Sequence, residues 1–190
     1  VALSKNGIQT YARAFGFAKV ETKTKSNVET KYRIGSISKS FTATMIMQLV
    51  AEEKLAIDDK LARFFPTWPN ATKITIEHLL RHESGIYNFG KSSEPKYQNL
   101  NPQSRQEVFE IFESAPIAFA PGKKVDYNNA NFVVLSLIIE ALDNRTFAES
   151  LAARIIAPLD LKNTQAGGTV NAKQNEAHCY FWKNGWTGDS

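Results

Sequence analysis

At residues 36–39 the chain reads Ser36-Ile37-Ser38-Lys39, directly after a strand-like run at 31–34 and a single glycine. These residues open the most apolar helical pattern in the first half of the chain, which predicts a helix over 36–54. A hydroxyl at a helix N-terminus with an amine one turn further along has the geometry of a nucleophile beside its base. The unpaired backbone N–H groups of such a terminus also favour negative charge on a substrate oxygen. The stretch therefore predicts the chemistry of a serine hydrolase or acyltransferase.

The local sequence allows a simpler interpretation equally well, in which Ser36 only caps the helix and Lys39 is a solvated side chain. The spacing by itself is weak evidence, because it recurs at Ser93-Glu94-Pro95-Lys96. There Pro95 and the polar surroundings argue against an ordered helix start. Context rather than spacing therefore favours Ser36 and Lys39 as the functional pair.

A second candidate element is Tyr127-Asn128-Asn129, which follows Pro121-Gly122 and precedes a strongly apolar helical pattern at 132–142. A turn before a buried helix projects side chains from a rigid support. A phenol held near a lysine can pass protons to a leaving group. The Asn129 amide can bind a substrate carbonyl or hold Lys39, and it can also be the N-cap of the helix.

The composition is that of an ordinary globular protein, with 43% hydrophobic and 22% charged residues among 190. The net charge is +4, but the basic residues are scattered without a recognition motif, so we expect no nucleic-acid partner. The single cysteine, Cys179, excludes an internal disulfide, and no Cys/His cluster has the spacing of a zinc site. No apolar stretch approaches the roughly 18 residues that span a bilayer. The opening Val-Ala-Leu-Ser is not typical of a signal sequence, and this neither indicates nor excludes export of the protein.

The remaining patterns predict strands first, then a block of helices, then a polar tail. We expect strands over residues 8–20 and 31–34, a long surface loop over 83–101, and a strand with turns in the tail 167–190. Thr75, Ser104 and Thr146 are predicted helix N-caps, the last two in capping boxes. Besides 36–54 and 132–142, the predicted helices cover 58–65, 76–81, 104–114 and 146–156.

Four blocks of sequence occur in the chain at 32–42, 79–86, 121–129 and 158–164. Residues 32–42 read Tyr-Arg-Ile-Gly-Ser-Ile-Ser-Lys-Ser-Phe-Thr, and residues 79–86 read Leu-Leu-Arg-His-Glu-Ser-Gly-Ile. At 121–129 a Pro-Gly pair leads to Tyr-Asn-Asn, and residues 158–164 read Pro-Leu-Asp-Leu-Lys-Asn-Thr. Together they resemble the serine beta-lactamase and penicillin-binding protein family. The resemblance is strongest to its branch of class C beta-lactamases, D-Ala-D-Ala carboxypeptidases and related esterases. The blocks follow the family's order over roughly residues 10–165, which makes them far more specific together than singly.

The resemblance implies a role for each candidate residue. Ser36 would be the acylated nucleophile, Lys39 its proton partner, Tyr127 a general base or acid, and Asn129 an amide that orients the substrate. His82 is interpreted as structural, since its loop normally supports the site, although Glu83 stands where the family usually has threonine. No metal and no organic cofactor is implied.

The resemblance also implies an α+β fold of the beta-lactamase/transpeptidase type. We expect one partial domain over 1–190, with N-terminal strands at 1–35, a largely present helical region at 36–165, and the start of a C-terminal part at 166–190. A bacterial protein in the periplasm or outside the cell is implied by the family alone.

The family's third element, a Lys-Thr-Gly or His-Thr-Gly on a strand beside the nucleophile, has no counterpart here. Lys183-Asn184-Gly185 and Trp186-Thr187-Gly188 come too early and lie in a predicted loop, so we reject both. We therefore expect a fragment with an incomplete antiparallel sheet, whose open edge would pair with another chain. Such a fragment would be weakly active or inactive by itself.

The implied function is that of a serine acyl hydrolase or transpeptidase that forms an acyl-enzyme with D-Ala-D-Ala peptides or beta-lactams. The chain has no Glu-x-x-Leu-Asn segment of the kind class A beta-lactamases use for deacylation, so Tyr127 is the better candidate to activate water. Two alternatives stay open: a carboxylesterase with the same Ser-Lys-Tyr site, and a non-catalytic penicillin- or peptidoglycan-binding module. The sequence does not separate the proton roles of Lys39 and Tyr127.

Overall fold

Helices occupy the middle of the chain and short antiparallel hairpins occupy its two ends, which confirms the predicted α+β class. The computed structural model describes residues 1–89, 105–168, 170–182 and 186–189. One compact unit comprises residues 38–155, and a second comprises residues 1–37 together with 156–190. A single domain over the whole chain stays a prediction.

The unit of residues 38–155 contains the α-helices, most of which form where apolar residues recur near the helical period. In its described residues they are α1 (Ser38–Ala51), α2 (Ile76–Leu80), α3 (Arg105–Ser114), α4 (Asn129–Asp143) and α5 (Phe147–Leu151). A 3-10 turn at Gly35–Ile37 directly precedes α1, and α5 continues into a π-helical turn at Ala152–Ile156. The predicted helices over 36–54, 76–81, 104–114, 132–142 and 146–156 are thus present with shifted ends.

Helix α4 is the centre of this unit, because it contacts α1, α2 and α5. The fully buried apolar side chains of these helices are Met45, Ile46 and Leu49 of α1, Ile76 and Leu79 of α2, and Val134, Leu135, Ile138 and Ile139 of α4. Each such side chain contributes about 1.5–3 kcal/mol through its removal from water. The apolar pattern at 132–142 therefore marks the core, as predicted.

Local capping signals account for several helix starts. Thr75 and Thr146 each accept a hydrogen bond from the N–H three residues later, and both capping boxes are complete. The prediction of Asn129 as N-cap is wrong, because the cap of α4 is Asn128. Its backbone is extended and its side-chain oxygen accepts the N–H of Ala130 at 2.9 Å, so Asn129 becomes the first helical residue.

The predicted helix over 58–65 is only a 3-10 turn at Leu61–Arg63. Lys60 pairs with Thr75, and the Leu61 N–H donates to the carbonyl of Ile74 at 2.8 Å. This pairing holds the chain extended up to Lys60, so a longer helix cannot form.

The unit of residues 1–37 and 156–190 contains the strands. The hairpins are β1 (Ala2–Lys5) with β2 (Ile8–Ala12), β3 (Phe17–Lys19) with β4 (Thr24–Lys25), and β5 (Cys179–Trp182) with β6 (Trp186–Asp189). Asn6 and Gly7 form the first turn with φ of 52° and 76°, the left-handed conformations that favour these two residue types in tight hairpins. A continuous strand over 8–20 is wrong, since the chain leaves β2 after Ala12 and starts a new hairpin at Phe17.

The predicted strand over 31–34 is also wrong. In the described parts of the chain, Lys31 is the one residue of this run whose main chain pairs with another segment: its N–H donates to the carbonyl of Asn175, and its carbonyl accepts the N–H of Ala177, both at 2.9 Å. The Arg33 side chain instead donates to the carbonyl of Gly168. A strand needs a paired neighbour along its length, and that neighbour lies over 140 residues away in sequence.

The tail forms a hairpin, which confirms the strand predicted there. The loop predicted at 186–188 is wrong, because these residues lie in β6. The predicted loop at 83–101 is described only as far as Phe89, and the second Ser-x-x-Lys stretch, the cap at Ser104 and the tripeptide 183–185 lie outside the described residues. In the described parts of the chain, no helix combines the length and hydropathy needed to cross a membrane.

Candidate active site

Ser36 lies in the middle of the 3-10 turn that ends where α1 begins, and its side chain is exposed. Gly35 precedes it with a φ of 51°, and the N–H of Ile37 donates to the carbonyl of Ile34 at 3.1 Å. Ser36 belongs to the unit of residues 1–37 and 156–190, whereas Lys39 and Tyr127 belong to the unit of 38–155. A shared cleft for the three residues stays a prediction.

Lys39 and Asn129 are brought together within the unit of 38–155, although they are 90 residues apart in sequence. Lys39 lies in the first turn of α1, and its Nζ donates to Oδ1 of Asn129 at 2.8 Å. Two uses were predicted for the Asn129 amide, and the structure shows one of them: the amide oxygen holds the lysine. The amide nitrogen keeps two N–H donors for a further partner, so binding of a substrate carbonyl is compatible with this contact.

Tyr127 lies beside the same amine. The Lys39 Nζ is 4.9 Å from the centroid of the Tyr127 ring and 5.6 Å from that of Phe132. About half of the Tyr127 surface is exposed, at 49%. The amine lies over the electron-rich face of the ring, where its positive charge also attracts negative charge that develops on the phenol. The predicted proximity of the phenol and the lysine is therefore present.

The backbone around Tyr127 is attached to the segment 82–88 by hydrogen bonds. The Tyr127 carbonyl accepts from the side chain of Asn88 at 2.8 Å, and the N–H of Asp126 donates to the carbonyl of His82 at 2.9 Å. Asn128 is buried and donates through Nδ2 to the carbonyls of Ile86 and Tyr87 at 2.8 and 3.2 Å. The turn that carries Tyr127 is thus fixed on both sides of the tyrosine.

His82 is a further polar residue of this region, and its ring packs on that of Tyr127 with 4.6 Å between centroids. Its Nδ1 is 3.2 Å from both the N–H nitrogen of Asn128 and the amide nitrogen of Asn131. Burial and, second, the charge of Lys39 lower the pKa of His82. The sequence analysis placed His82 in a supporting loop but did not connect it to Tyr127.

Asn131 is a buried polar residue of α4 that the sequence analysis missed. Its Oδ1 accepts from the Ser84 hydroxyl at 2.5 Å, and Asn131 and Ser84 are each only 1% exposed. The available signal was a polar residue in line with the apolar positions of a mainly apolar helix, since buried polar groups require partners.

In the described residues, no group of three or more His, Cys, Asp or Glu side chains could hold a metal ion. The polar groups that the structure does gather here are an amine, a phenol, an imidazole and several amides. Such groups suit proton transfer and the binding of carbonyl oxygens.

A family model described as "Beta-lactamase" matches residues 1–189. Among curated proteins, the chain is similar to the teichoic acid D-alanine hydrolase of Staphylococcus aureus, with 29% identity over 164 residues. That match covers 86% of this chain and 40% of the hydrolase.

Among solved structures, the chain is similar to a penicillin binding protein from Bacillus halodurans, with a TM-score of 0.83 and 27% identity over 98% of this chain and 60% of that one. It is also similar to the D-amino acid amidase from Ochrobactrum anthropi SV3, with a TM-score of 0.81 and 29% identity over 94% of this chain and 50% of the amidase. The fold is therefore beta-lactamase/transpeptidase-like. The chain spans 40% to 60% of the length of these relatives.

Proposed function

The chain belongs to the beta-lactamase family, and from this premise we propose that it carries the nucleophile and the proton-transfer groups of a serine acyl hydrolase or acyltransferase. The observation that carries the proposal is the cluster of Lys39, Tyr127 and Asn129, with the lysine amine 2.8 Å from the amide oxygen and 4.9 Å from the phenol ring. Ser36 is exposed and precedes Lys39 by one helical turn in sequence, which supports its role as nucleophile.

In the proposed reaction, the Ser36 Oγ attacks the acyl carbonyl while its proton passes to the Lys39 amine or the Tyr127 phenolate. The carbonyl oxygen becomes an oxyanion, for which a backbone N–H at Ser36 is the nearest donor in sequence. Collapse of the tetrahedral intermediate expels an amine or alcohol, which takes up the proton, and leaves an ester on Ser36. Water, deprotonated by the same groups, then cleaves the ester and restores the serine.

Asn129 has two proposed tasks in this scheme. Its Oδ1 holds the Lys39 amine, and its amide nitrogen binds a carbonyl of the substrate. One side chain thereby couples the position of the substrate to that of the proton-transfer group, as precise catalysis requires.

The proposed substrates contain a D-amino acid at the acyl carbonyl, as D-Ala-D-Ala peptides do, or are beta-lactams. The support comes from the names of the relatives, since one is a D-alanine hydrolase and another a D-amino acid amidase. The alternatives are a carboxylesterase with the same residues and a binding module without turnover. Hydrolysis of p-nitrophenyl esters but not of nitrocefin would favour the carboxylesterase.

We further propose that the intact protein acts in the periplasm or outside the cell, and that a further strand pairs with the β1–β2 hairpin. The support for strand pairing is that every residue of this hairpin's strands except Ala12 is exposed. Exposed strand edges carry unpaired N–H and C=O groups that another strand can satisfy.

The test is covalent labelling of the natural full-length protein with a fluorescent penicillin, followed by mass spectrometry of the adduct. We expect one adduct, on Ser36, and no labelling of Ser36→Ala. Ser40→Ala is the matched control, because Ser40 is an exposed serine of the same stretch, and it should label like the unmodified protein. An adduct on any other residue would disprove the assignment, and saturable binding without an adduct would favour the binding module.

A further inference from the structure

We propose that His82 is a positioning residue for Tyr127, and that it acts as a neutral imidazole whose Nδ1 accepts hydrogen bonds. This inference rests on the proposed function, since Tyr127 is assigned there to proton transfer. It extends that function to a residue that does not touch the substrate. Every contact that carries it lies within the unit of residues 38–155.

The His82 ring is held in a specific orientation by its backbone and its neighbours. Its φ is 60°, a left-handed conformation that is uncommon for residues other than glycine. The imidazole packs on Tyr127 at 4.6 Å and on Phe132 at 5.3 Å between ring centroids. Movement of the imidazole would therefore remove a direct packing contact of the Tyr127 ring.

The hydrogen bonds around Nδ1 determine where the proton of the imidazole lies. The main-chain N–H of Asn128 points at Nδ1, and a main-chain amide can only donate. The Ser84 hydroxyl accepts the N–H of Ile86 at 3.1 Å and donates to Oδ1 of Asn131. Because Nδ1 accepts from the main chain of Asn128, the Asn131 amide faces it with its N–H₂ group as a second donor, and the opposite end of that amide, Oδ1, accepts from Ser84. Nδ1 is therefore an acceptor, so the ring carries its proton on Nε2 and is neutral.

Charged and titratable groups face the imidazole from each neighbouring element. Lys39 of α1 lies within 4.9 and 5.6 Å of the two aromatic rings on which His82 packs. Asp126 and Tyr127 face it from the turn before α4. Burial first, and the Lys39 charge second, lower the pKa of His82, against the opposing effect of Asp126. Burial and the adjacent amine thus favour the same neutral state as the two donors.

Protonation of His82 should therefore disturb Tyr127. A proton on Nδ1 would displace the N–H groups of Asn128 and Asn131 and would place a second positive charge near Lys39. The turn at 126–128 would lose one of its attachments to the segment 82–88. We expect the Tyr127 ring to move, and catalysis to fall, as His82 becomes protonated.

Two substitutions distinguish the contribution of the Nδ1 hydrogen-bond acceptor from that of the packing of the ring. His82→Asn keeps a side-chain oxygen near the position of Nδ1, suits the positive φ, and cannot be protonated there. His82→Phe keeps a ring against Tyr127 but removes the acceptor. If the Nδ1 acceptor positions Tyr127, His82→Phe should lower kcat by about 10- to 100-fold with little change in KM. His82→Asn should retain most of the activity, and its activity should no longer fall on the acidic side of the pH profile.

A direct readout does not depend on activity. In an NMR pH titration of the natural full-length protein without substrate, the Tyr127 ring signals, assigned with Tyr127→Phe, should shift together with those of His82. The common midpoint should lie below the ordinary value of 6.5. In His82→Asn the Tyr127 signals should no longer respond over that range.

Two outcomes would overturn the inference: a Tyr127 ring that ignores the titration of His82, or an acidic limb that persists unchanged in His82→Asn. Failure of the proposed function looks different, because Ser36 would then not be acylated while the coupled titration of His82 and Tyr127 would still be seen. A retained acylation of Ser36 with no coupling would instead reject only the role of His82.

Discussion

Asn128 is the residue whose loss should most clearly separate structural from catalytic roles in the Tyr-Asn-Asn element. It is 4% exposed, caps α4 through Oδ1, and donates through Nδ2 to the carbonyls of Ile86 and Tyr87. Its neighbour Asn129 is exposed and holds Lys39. Substitution of each asparagine by alanine should therefore give opposite results in assays of stability and activity.

The magnitude for Asn128→Ala follows from the bonds that disappear. Loss of the N-cap costs about 1 kcal/mol, and the buried carbonyl of Ile86, left without a partner, costs about 1–3 kcal/mol. The free energy of unfolding should thus fall by about 2–4 kcal/mol. Asn128→Ser keeps a capping oxygen but cannot reach the carbonyls, so it should recover about 1 kcal/mol of the loss.

The assay is equilibrium urea unfolding, followed by far-UV circular dichroism and by tryptophan fluorescence. Trp68 reports on the same unit, because it is stacked on Phe65 and Phe112 in its core. Asn129→Ala should change the free energy of unfolding by no more than about 0.5 kcal/mol but should impair turnover. An Asn128→Ala variant as stable as the unmodified protein, or no recovery with serine, would refute the assignment of these bonds.

Two further predictions concern stability. Gly85 has a φ of 72°, and a Cβ added to it would lie 1.9 Å from the carbonyl oxygen of Phe119. Gly85→Ala should therefore lower the free energy of unfolding by at least about 2 kcal/mol. An unchanged urea midpoint in this variant would contradict the close approach of Gly85 to Phe119. Arg154, hydrogen-bonded to Glu52 and Asp143, lowers the pKa of Glu52 from the ordinary 4.5 to about 2, helped by further neighbours. Because the folded-state pKa is the lower one, this contribution to stability is present above pH 4.5 and is lost as the pH falls toward 2. The difference in urea midpoint between the unmodified protein and Glu52→Gln should shrink over that range, and a difference independent of pH would reject this ion pair as its source.

Helices and their starts were largely predictable from the sequence. The patterns at 36–54 and 132–142 correspond to α1 and α4, and the caps at Thr75 and Thr146 are present. Such signals are local, because a helix makes its backbone hydrogen bonds within a few residues of the chain. The one-residue shift of the α4 cap to Asn128 is of the size expected where two asparagines compete for one position.

Strands and the short helix near residue 61 were predicted less well, for the opposite reason. The run 31–34 has the composition of a strand, but among the described residues its main chain pairs with another segment only at Lys31, which bonds to Asn175 and Ala177. The turn at Leu61–Arg63 is limited by pairing of Lys60 with Thr75. In both cases the outcome depends on which distant segment supplies the hydrogen bonds, and local composition does not contain that information.

The candidate site shows the same difference between local sequence signals and contacts made by residues far apart in the chain. The motifs in the sequence predicted Ser36, Lys39, Tyr127 and Asn129 as site residues, because each motif is a short contiguous stretch with recognisable chemistry. Only the tertiary structure decided that the Asn129 amide holds the lysine and that His82 packs on the tyrosine with its Nδ1 as an acceptor. These contacts join residues 45 to 90 positions apart, and they exist because α1, α4 and the segment 82–88 pack together in one core.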